Sequence, residues 1–161
     1  MVKWFLDHGA DPTLGPPRIR LPKSGLVSDT GYILERAACC SSISTFDLLL
    51  KRGARLDKSF ALNEVAPKED KIAMMEHLLE LGVDVDKFRH SPYHSDQGMT
   101  LHRAIRFGRV QSVRFLLERG PHFKDSLSGC TPLEEAETSA NPEIQELVRN
   151  AALQGSANPR T

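Results

Sequence analysis

The amino-acid sequence predicts an all-α solenoid built from short helical repeats. A helix ending closed by glycine recurs four times along the 161 residues, and a second, shorter helical pattern precedes three of these endings. Four copies of one ending rarely arise by chance. A repeating unit of helix, turn, helix and loop indicates a solenoid, because such a unit cannot bury its apolar face without its neighbours.

The second helix of each unit carries the clearest signal. The four endings are WFLDHG, LLLKRG, HLLELG and FLLERG, which close at Gly9, Gly53, Gly82 and Gly120. In each, a leucine lies three residues before the glycine and another apolar residue four before it. This spacing indicates an amphipathic helix, and glycine supplies the left-handed backbone that ends it. Burying each of these leucine side chains is expected to contribute roughly 1.5 to 3 kcal/mol.

The first helix of each unit is shorter. Its pattern occurs at residues 32–40, 61–66 and 100–108, and a fourth unit opens at residues 129–137. Alanines in these segments allow neighbouring helices to approach closely. Pro67 is expected to end the helix at 61–66 early, which makes this unit the least regular.

Particular residues resemble the ankyrin repeat family. They are Gly129-Cys130-Thr131-Pro132-Leu133, Thr100-Leu101-His102 with Ala104, and the glycine endings followed by Ala54 or Val83-Asp84. The resemblance runs from Val2 to about Ala152 and implies an ankyrin-type helical repeat solenoid with short β-hairpin-like loops. The spacings between closing glycines are 44, 29 and 38 residues, whereas the family period is about 33.

The resemblance predicts one ankyrin repeat domain over residues 1–153. It contains a half repeat (1–13), an insertion (14–29), repeats at 30–57, 58–87 and 97–125, and a C-terminal cap (128–153), with a disordered tail at 154–161. A second insertion falls at 88–97, and both insertions are expected to be surface loops. The half repeat has only its second helix, so we expect a fragment of a longer solenoid, a shortened gene product, or a first unit completed by another molecule.

The composition argues against several partner classes. Lys plus Arg number 21 and Asp plus Glu number 21, so no overall field attracts nucleic acid or an anionic membrane. No apolar run approaches the roughly 20 residues that span a bilayer. Three cysteines, two of them adjacent, do not form a disulfide framework. A cytoplasmic or nuclear location is therefore expected.

No catalytic signature is recognisable. The sequence lacks G-x-S-x-G, a phosphate-binding glycine loop, H-E-x-x-H and paired C-x-x-C. His90 and His94 have the spacing of some metal ligands, but they flank a proline in a predicted loop, so a solvated loop is favoured. We expect no catalytic residue, metal, cofactor or small-molecule substrate. His102 resembles the family's buried structural histidine, whose ring is held by hydrogen bonds near the hairpin.

The resemblance implies that partners bind at the hairpin tips and at the exposed end of each first helix. Arg106 and Phe107 stand out, because arginine and aromatic residues dominate interface hot spots. The alternative is that Phe107 folds inward against Val110. The predicted protein-binding residues are Cys39, Cys40, Lys68, Arg106, Phe107, Arg109, Thr138 and Ser139.

Charges at one repeat position alternate in sign. Two residues after each leading leucine lie Arg36, Glu64, Arg103 and Glu135. Stacking of the units predicts a row of exposed ion pairs, each worth only about 0 to 1 kcal/mol.

These observations predict a non-catalytic protein–protein interaction module, an ankyrin repeat scaffold or adaptor, with an unidentified protein partner and no nucleic acid or membrane partner. The alternative is a regulatory or targeting segment of a larger enzyme whose catalytic domain lies outside this chain.

Overall fold

The computed structural model describes residues 1–15, 30–87, 89, 98–123 and 130–157. Within these ranges the secondary structure is helical, with turns and isolated bridges but no strand. The predicted all-α class is therefore confirmed. The chain divides into two compact units, residues 1–65 and 66–161. The boundary falls inside the predicted repeat at 58–87, next to Pro67.

The described residues of the first unit form four helices. They are α1 (Val2–Asp7), α2 (Tyr32–Cys40), α3 (Ile43–Lys51) and α4 (Ala61–Val65). Helix α2 packs against both α3 and α4. The core side chains are almost fully inaccessible to solvent, and they are Leu34, Ala38, Phe46, Leu62 and Val65.

The segments that precede α2 and α4 approach each other closely. Gly31 precedes α2, and a Cβ atom at this position would lie 2.3 Å from the backbone of Ser59. Glu35 is buried in α2, and its Oε1 accepts a hydrogen bond of 3.0 Å from the backbone N–H of Phe60, just before α4. A carboxylate of α2 therefore satisfies a backbone donor at the start of α4.

Helix α1 has no buried residue. Trp4 is 57% exposed, and its ring stacks on that of His8 with 4.0 Å between centroids. The Asp7 carboxylate accepts a 2.6 Å bond from Arg52, which follows α3. An ion pair therefore joins α1 to the end of α3, while the Trp4 and Phe5 side chains are more than half exposed.

Within its described ranges, the second unit contains a 3₁₀ turn and five helices. They are the turn Glu69–Lys71, α5 (Ile72–Glu80), α6 (Thr100–Arg106), α7 (Val110–Leu117), α8 (Pro132–Glu137) and α9 (Pro142–Ala157). Helix α6 packs against α7 and α8, and α9 packs against α7 and α8. The core is formed by apolar side chains of all five helices, including Met75, Leu78, Leu101, Ile105, Leu116, Ala136, Ile144 and Val148.

The predicted helix ends are confirmed. Gly9, Gly53, Gly82 and Gly120 have φ angles between 65° and 97°, the left-handed region where glycine meets no steric penalty. Helix α8 starts with a capping box in which Thr131 and Glu134 bond each other's backbone N–H groups.

The C-terminal helix α9 extends beyond the predicted C-terminal cap at 128–153. Pro142 is its first residue, and Asn141 Oδ1 accepts the N–H of Glu143 at 3.0 Å. It continues to Ala157, whereas the sequence predicts a disordered tail from residue 154. Residues 158–161 lie outside the described residues.

Both predicted insertions have closed bases. The Thr30 N–H donates to the Thr13 carbonyl at 2.9 Å, and Arg89 and Gly98 exchange two backbone hydrogen bonds of 3.1 Å. The residues at the two ends of each insertion are therefore close together. Residues 16–29, 88 and 90–97, which include His90 and His94, lie outside the described residues.

Candidate protein-binding cleft

A cleft of about 730 Å³ lies in the second unit, where the C-terminal end of α6 meets the turn between α8 and α9. Four of its lining residues are predicted binding residues, namely Arg106, Phe107, Thr138 and Ser139. The two pairs occupy equivalent repeat positions, five and six residues after Leu101 and Leu133. Because α6 packs against α8, the equivalent ends of neighbouring first helices border the same cleft.

An ion pair between α6 and α8 lines the cleft. Arg106 Nε and Nη2 donate to the two carboxylate oxygens of Glu135, each at 2.9 Å. The side chains are 27% and 14% exposed, so water screens the pair only partly. The hydrogen bonds from Arg106 lower the pKa of Glu135, although burial opposes the shift. This wall of the cleft therefore carries two charges that neutralise each other.

The sequence predicts that Glu135 stands in a row with Arg103. The arginine that donates to both carboxylate oxygens of Glu135 is Arg106. Arg106 lies three residues further along α6, in the last turn of the helix. The predicted binding residue Arg106 is thus engaged inside the protein, where it joins α6 to α8.

Phe107 follows α6 and presents part of its ring to solvent. It is 41% exposed, and the guanidinium carbon of Arg103 lies 5.9 Å from its ring centroid. This distance is within the range of a cation–π interaction. The ring is therefore supported from one side and remains accessible to a partner, unlike a side chain folded fully inward.

The opposite rim is held by hydrogen bonds. Thr138 Oγ1 donates to the Glu135 carbonyl at 2.9 Å, and Ser139 Oγ accepts the N–H of Asn141 at 3.3 Å. Gln145 Nε2 donates to the Ser139 carbonyl at 2.8 Å. These bonds fix the turn before α9, so the cleft has defined edges.

His102 lies one turn before Arg106 on α6 and is buried, as predicted. Its Nε2 is 2.8 Å from the Cys130 carbonyl, which can only accept, so Nε2 carries the proton. Among the described residues Nδ1 has no hydrogen-bond partner. Burial lowers the pKa of His102, although the bond to Cys130 and the charge of Glu135 oppose this. The histidine joins α6 to the segment before α8.

The remaining predicted binding residues do not line the cleft. Cys39 is buried, and its thiol donates to the Glu64 carbonyl at 3.3 Å, so it is not available to a partner. Cys40 is exposed and accepts a 3.4 Å bond from Arg36, but it belongs to the first unit. Lys68 is exposed before the 3₁₀ turn. Arg109 directly follows Gly108, which lines the cleft.

Sequence reasoning missed the contribution of Glu135 and Pro142 to the cleft. Signals existed for both, since Glu135 stands in the charge row and Pro142 starts α9. Within the described ranges no three potential metal ligands gather at one place. In the same ranges, no helix combines the length and apolar character needed to cross a bilayer. The arrangement offers a recognition surface of one aromatic ring, a proline ring, two hydroxyls and a neutralised ion pair.

Comparison with known proteins identifies the fold. Neither a protein-family model nor a curated protein matches the sequence. The structure is similar to the crystal structure of the human ASB11 ankyrin repeat domain, with a TM-score of 0.66 and 25% sequence identity over 92% of this chain. The chain spans 62% of the length of that domain. The predicted resemblance is thus confirmed in three dimensions, and the chain has an ankyrin-repeat fold.

Proposed function

We propose that the chain is a non-catalytic protein–protein interaction module, an ankyrin-repeat scaffold or adaptor, that binds its partner at the cleft of the second unit. One observation carries this proposal. The Arg106–Phe107 and Thr138–Ser139 pairs come from two successive repeats, and both line one cleft.

The size and lining of the cleft support a protein segment as its ligand. Its volume of about 730 Å³ leaves room for side chains of a bound segment. Phe107 offers a large apolar contact that loses little conformational entropy on binding. Thr138 and Ser139 offer polar groups on the opposite rim, where they can set orientation.

Substituting Phe107 tests the proposal cleanly. We expect Phe107→Ala to weaken binding by about 2 kcal/mol, roughly 30-fold in Kd, because the ring is a large and partly exposed apolar contact of the cleft. Stability should change little, since the ring is already partly in water. The measurement is quantitative capture of partners from a lysate of the source organism, followed by titration of each captured protein.

Leu81→Ala is the matched control. Leu81 follows α5 in the same unit and is 40% exposed, against 41% for Phe107, but it does not line the cleft. Partners that are lost with Phe107→Ala and kept with Leu81→Ala support the proposal. Equal capture by both variants would show that the cleft is not the binding surface. Arg106→Ala is less suitable, because it would leave Glu135 without its ion pair and destabilise the fold.

A further inference from the structure

One face of α1 is apolar and exposed, whereas the equivalent positions of the other second helices are buried. Val2 lies seven residues before the closing glycine of its unit, and Phe5 lies four residues before it. Their exposed fractions are 39% and 52%. The side chains at the same two positions of the other three units are at most 4% exposed, and they are Phe46 and Leu49, Met75 and Leu78, and Val113 and Leu116. The repeat therefore buries two positions that α1 leaves open.

Two more side chains extend this exposed face. Met1 is 98% exposed and Trp4 is 57% exposed. The Trp4 ring meets the Phe5 ring edge-on, with 5.3 Å between the ring centroids. Spacings of three and four residues place Met1, Trp4 and Phe5 on one side of the helix. Apolar side chains that gather in one exposed patch indicate an interaction surface, and we call Met1, Val2, Trp4 and Phe5 the α1 face.

The first helices show which chemistry fits against such a face. Helix α2 packs against α3, and α6 packs against α7. In each first helix a leucine is followed three residues later by alanine or valine, and these pairs are Leu34 and Ala37, Leu62 and Val65, Leu101 and Ala104, and Leu133 and Ala136. The leucine fills the space between two helices, and the smaller residue allows their backbones to approach. A helix with this spacing therefore suits the second helix of a unit.

The area of the α1 face favours one short helix over a second copy of the chain. An aromatic side chain buries about 150 to 250 Å², and the Trp4 and Phe5 rings are only a little more than half exposed. Two copies that met through this face would bury a few hundred Å² on each chain, whereas a stable interface buries roughly 800 Å² per partner. Helix α1 is six residues long, which matches the length of the first helices.

We propose that the α1 face is a docking site for a short amphipathic helix of another protein, which carries leucine and alanine three residues apart on its apolar side. The docked helix would lie on α1 as α2 lies on α3, and its apolar side chains would cover Trp4 and Phe5. This site is separate from the cleft, because α1 belongs to the first unit and the cleft to the second. The two proposals therefore stand or fall independently.

A stapled peptide copy of α2 is the probe. It comprises residues 31–41 with the change Cys39→Ala, and a hydrocarbon bridge replaces the side chains of Arg36 and Cys40. These two side chains are exposed in α2 and lie four residues apart, so the bridge holds the peptide helical without covering its apolar side. A fluorescent label on the peptide allows binding to the full chain to be measured by anisotropy.

We expect a saturable rise in anisotropy with the wild-type chain. The change Leu34→Asp in the peptide should weaken binding at least about tenfold, because a carboxylate would replace the central apolar contact. The change Phe5→Ser in the chain should also weaken binding about tenfold. Its melting curve by circular dichroism should match that of the wild type, since α1 has no buried residue.

Leu81→Ser is the matched control. Leu81 is also an exposed apolar residue, at 40%, but it lies in the second unit. The peptide should therefore bind this variant within about twofold of its affinity for the wild type. Absence of binding, equal binding of the Leu34→Asp peptide, or equal losses for Phe5→Ser and Leu81→Ser would overturn the inference.

Sedimentation velocity of the chain alone tests for the other occupant of the α1 face. We expect a monomer at every concentration, because the face is too small to hold two copies together. A dimer that Phe5→Ser dissociates would show that a second copy covers the face, and the inference of a docked helix from another protein would then be wrong.

Discussion

His102 combines a buried ring with a hydrogen bond between successive repeats, and this makes stability depend on pH. Its pKa is lowered in the folded protein, chiefly by burial. Below the ordinary histidine pKa of about 6.5, the unfolded chain therefore binds a proton that the folded chain resists. Folding is favoured fully above this pH and less favoured as the pH falls below it.

We expect the free energy of unfolding of the wild type to fall between pH 7 and pH 5, by at most about 1.4 kcal/mol per pH unit for this one proton. His102→Gln should show a shallower fall, because an amide N–H can still donate to Cys130 but does not titrate. The measurement is urea denaturation at successive pH values. Parallel curves for the two proteins would exclude His102 as the source.

The sequence predicts a single side chain well where one short motif determines its place. Thr100-Leu101-His102 is such a motif, and the buried histidine is found. The partner of Arg106 could not be predicted in this way, since Glu135 lies 29 residues away and the irregular repeat spacing hides which helix positions meet. Cys39 was misplaced on the surface for a similar reason, because its burial depends on the face of α2 that packs against α4.

Helix α4 is only five residues long, and its start depends on α2. Glu35 Oε1 binds the Phe60 N–H, so we expect Glu35→Ala to destabilise the protein by about 1 to 3 kcal/mol, the cost of a buried donor left without its acceptor. Glu35→Gln should lose less, because the amide oxygen can still accept. Chemical denaturation measures the loss, and hydrogen exchange of the amides of residues 60–65 locates it. Faster exchange confined to other helices would contradict this role.

Local pattern predicts the helices of the chain better than it predicts what stabilises their ends. The pattern YILERAACC coincides with α2, and Pro67 correctly predicts the early end of α4. The Glu35 contact crosses 25 residues, which no local pattern reveals. Helix α9 extends beyond the predicted boundary because glycine weakens a helix, by about 1 kcal/mol relative to alanine, without ending it. The helix runs through Gly155.

Two buried leucines test how far a lesion spreads between the two units. Leu49 belongs to the first unit and Leu116 to the second, and both are buried. We expect Leu49→Ala and Leu116→Ala each to cost about 2 to 5 kcal/mol in unfolding free energy. Hydrogen exchange should show the larger loss of amide protection in the unit that carries the substitution.

An identical loss of protection in both units, for both variants, would instead show that the chain unfolds as one cooperative body. The sequence predicts a series of repeats but not this division into two units. An apolar pattern shows which face of a helix is buried, but it does not show how many contacts join one repeat to the next. Only the irregular repeat at 58–87, with Pro67 inside it, marks the place.

The position of Trp4 determines what spectroscopy can observe. It is the only tryptophan among the 161 residues, and it lies more than half exposed on α1, a helix with no buried residue. Its fluorescence reports the state of α1 and the stacking on His8, and not the packing of either core. An unfolding curve from tryptophan emission would follow the release of one short helix, so circular dichroism is the appropriate probe for the rest of the chain.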